Sequence, residues 1–529
     1  MKIRQRIITI TATVGFLATA GLGTAVGVVY VDANRTNVGE VTFDQPLPVP
    51  PLAKSTVVKG TRVFRVDLKQ GHANLGKGRS QPSYYGQDGT VGAAANAGQY
   101  LAPTLRATRG ERVQVDVTNS LGTASTIHWH GMHLPAKMDG GPHQMIAPGI
   151  TWQPRWTVKQ PAATLWYHPH LHGATGQQVQ KGLAGVFLLD DPKTPRAVAL
   201  PHTYGVDDVP IILQDKTFNS DGSADTSPPR GPITQTGYLG DTVLANGKAG
   251  ASFTATSELL RLRLVNGSLA RVYNLGLSND KEFTVVAGDG GLLERPVTTR
   301  RVVMSPGDRL EVIVRVSPGA TTMLRDYPMD LGNSIIGRLA GADDTLDVLQ
   351  LRGAQHLSAS TPLPERLTTL PALDSHPVAR TREFNLEAPT INGKTMNLKR
   401  IDATVTVGTT ELWRVRNGDF MPHNFHIHDT QFRVKSLNGA APPLEMQGRQ
   451  DTILLKPGDS ADLLVRFEDY TDPNTPYMFH CHLLWHEDRG MMGQFVVVRP
   501  GEVAGTVRSH PLVPTAQTQG TMRDMDMSP

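Results

Sequence analysis

The sequence predicts an all-β protein built from three consecutive β-sandwich units, and three observations lead there. Glycine (52) and proline (38) are frequent enough across 529 residues to demand many turns, which suits short strands better than helical bundles. Strands alternating apolar and polar residues, as half-buried sheets require, recur at a steady interval. One runs Arg112–Asn119, one carries Leu260, Leu262 and Leu264 and ends at Asn266, and one carries Leu412, Arg414 and Arg416 and ends at Asn417. The closing asparagines are 266 − 119 = 147 and 417 − 266 = 151 residues apart. Two turns keep this register: Asn246-Gly247-Lys248 returns as Asn392-Gly393-Lys394, and Pro306-Gly307-Asp308 as Pro457-Gly458-Asp459. One such turn means little; several at a common interval imply copies of one unit. The length independently suggests about three domains.

Composition narrows the function. Hydrophobic residues at 39% and charged residues at 19% describe an ordinary globular chain with ample core. A net charge of 52 − 48 = +4 is too small over this length to indicate a nucleic-acid partner. With one cysteine, Cys481, no intramolecular disulfide forms, and the purpose of the thiol has to be asked.

Taken in order, residues 1–33 read as a signal peptide or N-terminal membrane anchor. Lys2, Arg4 and Arg6 precede an uncharged run from Ile7 to Val31, the pattern that export machinery reads. Ala18-Thr19-Ala20 offers a cleavage site, while the uncut run is long enough to span a bilayer. The expected location is therefore outside the cytoplasm: extracellular, periplasmic or anchored at the cell surface. The sandwich units are expected at 55–195, 196–370 and 371–503, the last boundary lying in a linker with Pro362, Pro364, Pro371 and Pro377. Residues 504–529 are expected as a flexible tail.

The histidines carry the chemistry. Of 18, ten fall in four clusters built on His-x-His: His128-Trp129-His130-Gly131; His168-Pro169-His170; His423, His426 and His428; and His480-Cys481-His482 with His486, followed by Met491. On an extended strand, residues i and i+2 face the same way, so each pair offers two imidazoles to one place. One pair is commonly structural, whereas four call for metal. Imidazole alone suits Zn, Cu, Fe or Ni. The fourth cluster decides, because His423, Cys481, His486 and Met491 form the two-histidine, one-cysteine, weak-methionine set of a blue-copper site. Alternation also puts Cys481 on the face opposite His480 and His482, so a thiolate-bound copper would connect through a few bonds to coppers held by its neighbours.

At these residues the chain resembles the multicopper oxidase family. His-Trp-His-Gly, His-x-His after Trp-Tyr, His-x-x-His-x-His and His-Cys-His-x-x-x-His-x-x-x-x-Met look like its four copper signatures, in its order, over roughly residues 55 to 500. The resemblance implies three cupredoxin-like Greek-key β-sandwiches and four coppers per chain. It assigns the type 1 copper to His423, Cys481, His486 and Met491, and the type 2 copper to His128 and His426. The type 3 pair falls to His130, His168, His170, His428, His480 and His482, with His172 a neighbour and not a ligand. It further implies one-electron oxidation of a small reductant at the type 1 site and four-electron reduction of dioxygen to water at the trinuclear cluster. Asp139 and Glu487 match the family's proton-supplying acids, and Asp419 is expected to hydrogen-bond His423, an outer-layer role that orients imidazoles.

Within the family, the stretches 137–144 and 486–492 look most like bacterial exported enzymes, which oxidise phenols, cuprous ion or ferrous ion. The Met-rich insert of cuprous oxidases has no counterpart between 320 and 380, where only Met323 and Met329 occur. Asp419 and Met421 could offer a small cuprous site, and the tail carries Met522, Met525 and Met527. The reading is a monomeric laccase-like oxidase with overlapping cuprous oxidation. A dedicated cuprous or ferrous metallo-oxidase for copper tolerance, and a slow-turnover copper-sequestering protein, are the alternatives.

Overall fold

The computed structural model describes residues 34–77, 80–88, 100–194, 199–225, 236–373 and 375–513. The N-terminal run and the tail methionines named above lie outside these residues. The protein is all-β, in three two-sheet units. The asparagine-ended strands are Arg112–Asn119, Leu259–Asn266 and Thr410–Asn417. Each has a parallel neighbour on one side (Thr61–Asn74, Asp208–Lys216 and Val378–Glu387) and antiparallel pairing on the other.

The closing asparagines do the same work three times. Asn119 Oδ1 accepts the Leu121 N–H at 3.0 Å, Asn266 Oδ1 that of Ser268 at 3.0 Å, and Asn417 Oδ1 that of Asp419 at 2.9 Å. Their Nδ2 groups donate to Ile146, Met304 and Leu455 carbonyls at 2.7, 2.9 and 2.9 Å. A buried amide must satisfy both its ends, and here it does so by ending one strand and tying it to a second segment. The Asn-Gly-Lys turns also repeat, with positive φ at Asn246, Gly247, Asn392 and Gly393, the backbone that a two-residue hairpin needs.

Sheet order gives each unit its partner layers. In the first, Leu105–Thr108, Gly185–Asp190, Ala163–His168 and His128–His130 form one sheet. In the third, Ala403–Thr406, Met492–Val498, Asp472–His480, His423–Ile427 and Thr452–Leu455 do so. Each unit has its own apolar core; that of the third packs Phe384, Trp413, Phe425, Phe479 and Phe495 around Cys481 and Met491. Two crossings depart from simple succession. Gln45–Pro46 pairs in parallel with Ala251–Ser252 of the middle unit. Residues 505–512, expected to belong to a flexible tail, run back over the protein instead. Gly505 and Arg508 N–H donate to Pro473 and Asn474, and His510 and Leu512 N–H to His143 and Met145, at 2.7–2.8 Å. The backbone hydrogen bonds offered by the third and first units correct the expectation for that stretch.

Helix is scarce, but two short pieces position the site. Thr175–Gln180 in the first unit and Leu484–Asp488 in the third pack together. Asp488 accepts the Thr175 and Gly176 N–H groups at 2.8 and 2.9 Å.

Candidate metal centre

Strand pairing assembles the histidines. His128 lies opposite His168, His130 opposite Trp166, and His426 opposite His480. All ten motif histidines and Cys481 are buried. Their ligand atoms gather into four sets: His128, His130 and His426; His130, His168 and His482; His170, His428 and His480; and His423, Cys481 and His486. The first three sets join units one and three, while the fourth belongs wholly to the third. His172 is in none of them.

The hydrogen bonds fix which nitrogens are free. Carbonyl oxygens only accept, so a ring nitrogen facing one must carry the proton. Nδ1 of His128 faces the Asp139 carbonyl at 2.9 Å, that of His426 the Asp451 carbonyl at 2.8 Å, and that of His168 the Pro169 carbonyl at 2.7 Å. That leaves Nε2 as a bare lone pair. Nε2 of His128 and of His426 are buried and meet no hydrogen-bond partner among the described residues. Nε2 of His170 and His428 each stand 3.1 Å from Nε2 of His480. His168 Nε2 is 3.4 Å from both His130 Nδ1 and His482 Nε2. Burial, reinforced by the neighbouring imidazoles, pushes His128, His130, His168, His170, His428, His480 and His482 well below the usual histidine range. Neutral imidazoles aiming lone pairs at one another without protons between them are the donor set a metal cation requires.

The fourth set is compact. His423 Nδ1 and His486 Nδ1 are 3.1 Å apart, and Cys481 Sγ is 3.6 and 3.5 Å from them. Met491 is buried in the same core, and its carbonyl accepts the Cys481 N–H at 3.1 Å. Burial pushes the Cys481 thiol up to about 12, so a thiolate here needs a cation beside it. Asp419 Oδ2 accepts from His423 Nε2 at 3.1 Å and from the Ala388 N–H at 2.9 Å, and Oδ1 accepts the Phe420 N–H at 2.7 Å. With both oxygens engaged, and with Met421 buried and its carbonyl bound by Asn417, these two residues form no metal-type cluster among the described residues.

The two expected acids lie beside histidines of these sets. Asp139 Oδ2 is 2.8 Å from His428 Nδ1, and Oδ1 is 3.5 Å from His128 Nδ1. Glu487 lies 3.4 Å from His170 Nδ1 and 3.3 Å from His480 Nδ1, within ion-pair range but without hydrogen-bond alignment. Burial raises both carboxyls well above the ordinary range. Both touch the outer edges of imidazoles whose other nitrogens face inward.

Three further residues have no sequence motif to announce them. Asp451 bonds His130 Nε2 at 3.1 Å and pairs with Arg309 of the middle unit. Asn424 accepts the His482 N–H at 2.6 Å and donates to the Pro306 carbonyl at 2.7 Å, anchoring the Cys481 segment to the middle unit. Only the recurrence of Pro-Gly-Asp near 306 hinted that this turn mattered.

The comparisons with known proteins agree with the geometry. Family models described as multicopper oxidase match residues 81–194, 207–333 and 365–501. The chain is 37% identical over 407 residues to the multicopper oxidase mco of Staphylococcus aureus, covering 76% of this chain and 83% of the relative. It is 33% identical over 490 residues to the cell division protein FtsP of Salmonella typhimurium, covering 91% and 98%. Among solved structures it is similar to a laccase-like multicopper oxidase, CueO, from Ochrobactrum sp. with oxidase activity towards lignin model compounds. That match has a TM-score of 0.75 at 34% identity and covers 86% of this chain and 100% of that one. The chain, an oxidoreductase of three cupredoxin-like units, thus belongs to the multicopper oxidase family.

Proposed function

We propose that the protein is a laccase-like oxidase that takes single electrons from phenols, with overlapping oxidation of cuprous ion, and uses dioxygen as acceptor. One observation carries the reading: Cys481 belongs to one ligand set while its neighbours His480 and His482 belong to two others. A protein that only sequesters copper has no need of that junction, and a purely structural role leaves the unpartnered Nε2 atoms of His128 and His426 unexplained.

In this reading His423, Cys481, His486 and Met491 hold a type 1 copper, and His128 and His426 a type 2 copper. His130, His168 and His482 hold one type 3 copper, and His170, His428 and His480 the other, making four per chain. When bound, copper supplies one-electron acceptance at the first site and four-electron reduction of dioxygen to water at the cluster. The protein's own groups prepare these sites. Asp419 orients His423, as carboxylates do for metal-bound imidazoles. Asp139 and Glu487, both buried and beside cluster histidines, hold protons that water formation consumes. Phe420, 55% exposed and adjacent to Asp419, offers an aromatic face to a phenol. The reading includes export directed by the basic, then apolar, N-terminus, and action as a monomer.

Dioxygen uptake by copper-loaded protein, with cuprous ion, ferrous ion and a methoxyphenol compared under matched conditions, tests it. Phenol turnover accompanied by slower cuprous turnover is expected. A rate confined to cuprous or ferrous ion would make it a dedicated metallo-oxidase, and no uptake from any reductant would revive sequestration.

A further inference from the structure

A basic cavity of about 300 Å³ lies where the first unit, the inter-unit linker and the third unit meet. Its lining carries five cations, namely Arg109 and Lys159 from the first unit and Arg433, Arg449 and Arg466 from the third. Only two carboxylates, Asp429 and Glu468, line it with them, leaving a net +3 before His133, whose proton its own carboxylate partners hold, is counted. Three of the cations are committed elsewhere. Arg109 pairs with Asp191 at 2.9 Å, Lys159 pairs with Asp469, and Arg466 reaches Glu468 at 3.9 Å. The other two are not. Arg433 gives one hydrogen bond, to the Pro371 carbonyl at 3.2 Å, and its Nε is buried with no partner among the described residues. For the Arg449 guanidinium the described residues provide neither a hydrogen bond nor an ion pair. Burial lowers both arginines below the usual guanidinium value and Arg433 lowers Arg449 further, an effect that Glu294 near Arg433 and Glu468 near Arg449 offset only in part.

Two half-buried, like-charged guanidinium groups facing one cavity repel each other, and an anion between them relieves that repulsion. The geometry points to a binding site in this cavity for a dianionic tetrahedral oxyanion, of the phosphate or sulfate class, held by Arg433 and Arg449. Planar guanidinium forks match tetrahedral oxyanions two bonds at a time. The site also touches the frame of the metal centre. Gln160 and Gln431, both in its wall, donate to the Gly131 carbonyl next to His130 at 2.7 and 3.4 Å. Asp429 directly follows His428 in sequence. A bound oxyanion would therefore sit on the third unit beside its seam with the first.

Isothermal calorimetry on copper-loaded protein tests this with inorganic phosphate, sulfate, glycerol phosphate and, as the monovalent comparison, nitrate at equal ionic strength. Saturable binding of the dianions at one site per chain is expected, with a rise in melting temperature, since a ligand bound only to the folded state stabilises it. Arg433→Gln and Arg449→Gln should each weaken binding at least tenfold. Arg300→Gln, on the exposed surface of the middle unit, should leave it as in the wild type. Glycerol phosphate binding as tightly as phosphate would identify an esterified phosphate as the source, and its exclusion a free ion. No saturable binding, equal binding of nitrate, or wild-type binding by both Arg433 and Arg449 variants would overturn the site.

Discussion

Arg309 of the middle unit and Asp451 of the third form a fully buried two-point ion pair, Nη1 to Oδ1 at 2.6 Å and Nη2 to Oδ2 at 2.5 Å. The same carboxylate reaches His130 Nε2 at 3.1 Å, and the Asp451 carbonyl accepts from His426 Nδ1 at 2.8 Å. Burial opposes ionisation of Asp451, but Arg309 outweighs it and holds the carboxyl well below its usual range. The middle unit, with no His-x-His of its own, thus orients two histidines of the cluster through one acid.

Arg309→Met removes one partner of a buried pair, which typically costs about 3–5 kcal/mol. The expected variant melts earlier and loses type 2 and type 3 copper while its type 1 colour persists. Copper content per chain, with paramagnetic resonance to separate the types, checks this. Full cluster occupancy would reduce the pair to scaffold.

Gly131 explains the glycine in His-Trp-His-Gly. At φ +83°, a Cβ there would stand 2.4 Å from Arg309 Nη2 and 2.7 Å from Asp451 Oδ2. Gly131→Ala should reproduce the Arg309→Met loss of cluster copper. Gly149→Ala, at φ +78° with nothing within 4 Å of the new Cβ, should cost only about 1–2 kcal/mol of backbone strain and keep its copper. Equal copper content in the two variants would sink the packing argument.

Cys481→Ser should abolish the blue colour and reduce turnover to background, because in the proposed function the thiolate is both ligand and junction. Visible absorption and dioxygen uptake read the two roles separately, and retained colour would refute the ligand set.

Asp139→Asn keeps the shape and the acceptor facing His428 while removing an ionisable proton. Positioned acid–base groups contribute about 10²–10⁴-fold, so dioxygen turnover should fall at least tenfold while the type 1 copper still bleaches anaerobically with reductant. Unchanged turnover would remove Asp139 from proton delivery.

His133 links the first and third units, with Nδ1 2.8 Å from Asp429 and Nε2 2.7 Å from Asp469. Burial would lower its pKa, yet the two carboxylates raise it from 6.5 to about 10. A folded-state pKa above the unfolded one adds stability that is complete below the unfolded value and fades as pH rises through the folded value. The melting temperature should therefore fall between pH 6.5 and 10, and His133→Gln should flatten that slope. An identical slope in the variant would refute the linkage.

Much of the site could be read from the chain because its chemistry is local. Strand alternation sends His480 and His482 one way and Cys481 the other, a consequence of a two-residue period that needs no tertiary knowledge. The repeat of Asn119, Asn266 and Asn417 was likewise visible, since each caps its strand through bonds to nearby backbone, one of them only two residues on. The folded-back path of 505–512 was not legible, because Gly, Val and Pro there carry no periodicity and the partners of its far end, His143 and Met145, lie over 300 residues earlier.

The sequence by itself determined the fold class, the three-unit repeat and the residues that gather into the four sets, all of which rest on short-range spacing and side-chain chemistry. Only the tertiary structure decided which histidines share a centre, which ring nitrogens stay bare, and that Arg309, Asp451 and Asn424 support them. The bonds from Asn424 to Pro306, Arg309 to Asp451 and Asp451 to His130 span 118, 142 and 321 positions. Contacts of that length leave no periodic trace in a chain, because they are set by how whole sheets pack and not by where neighbours point.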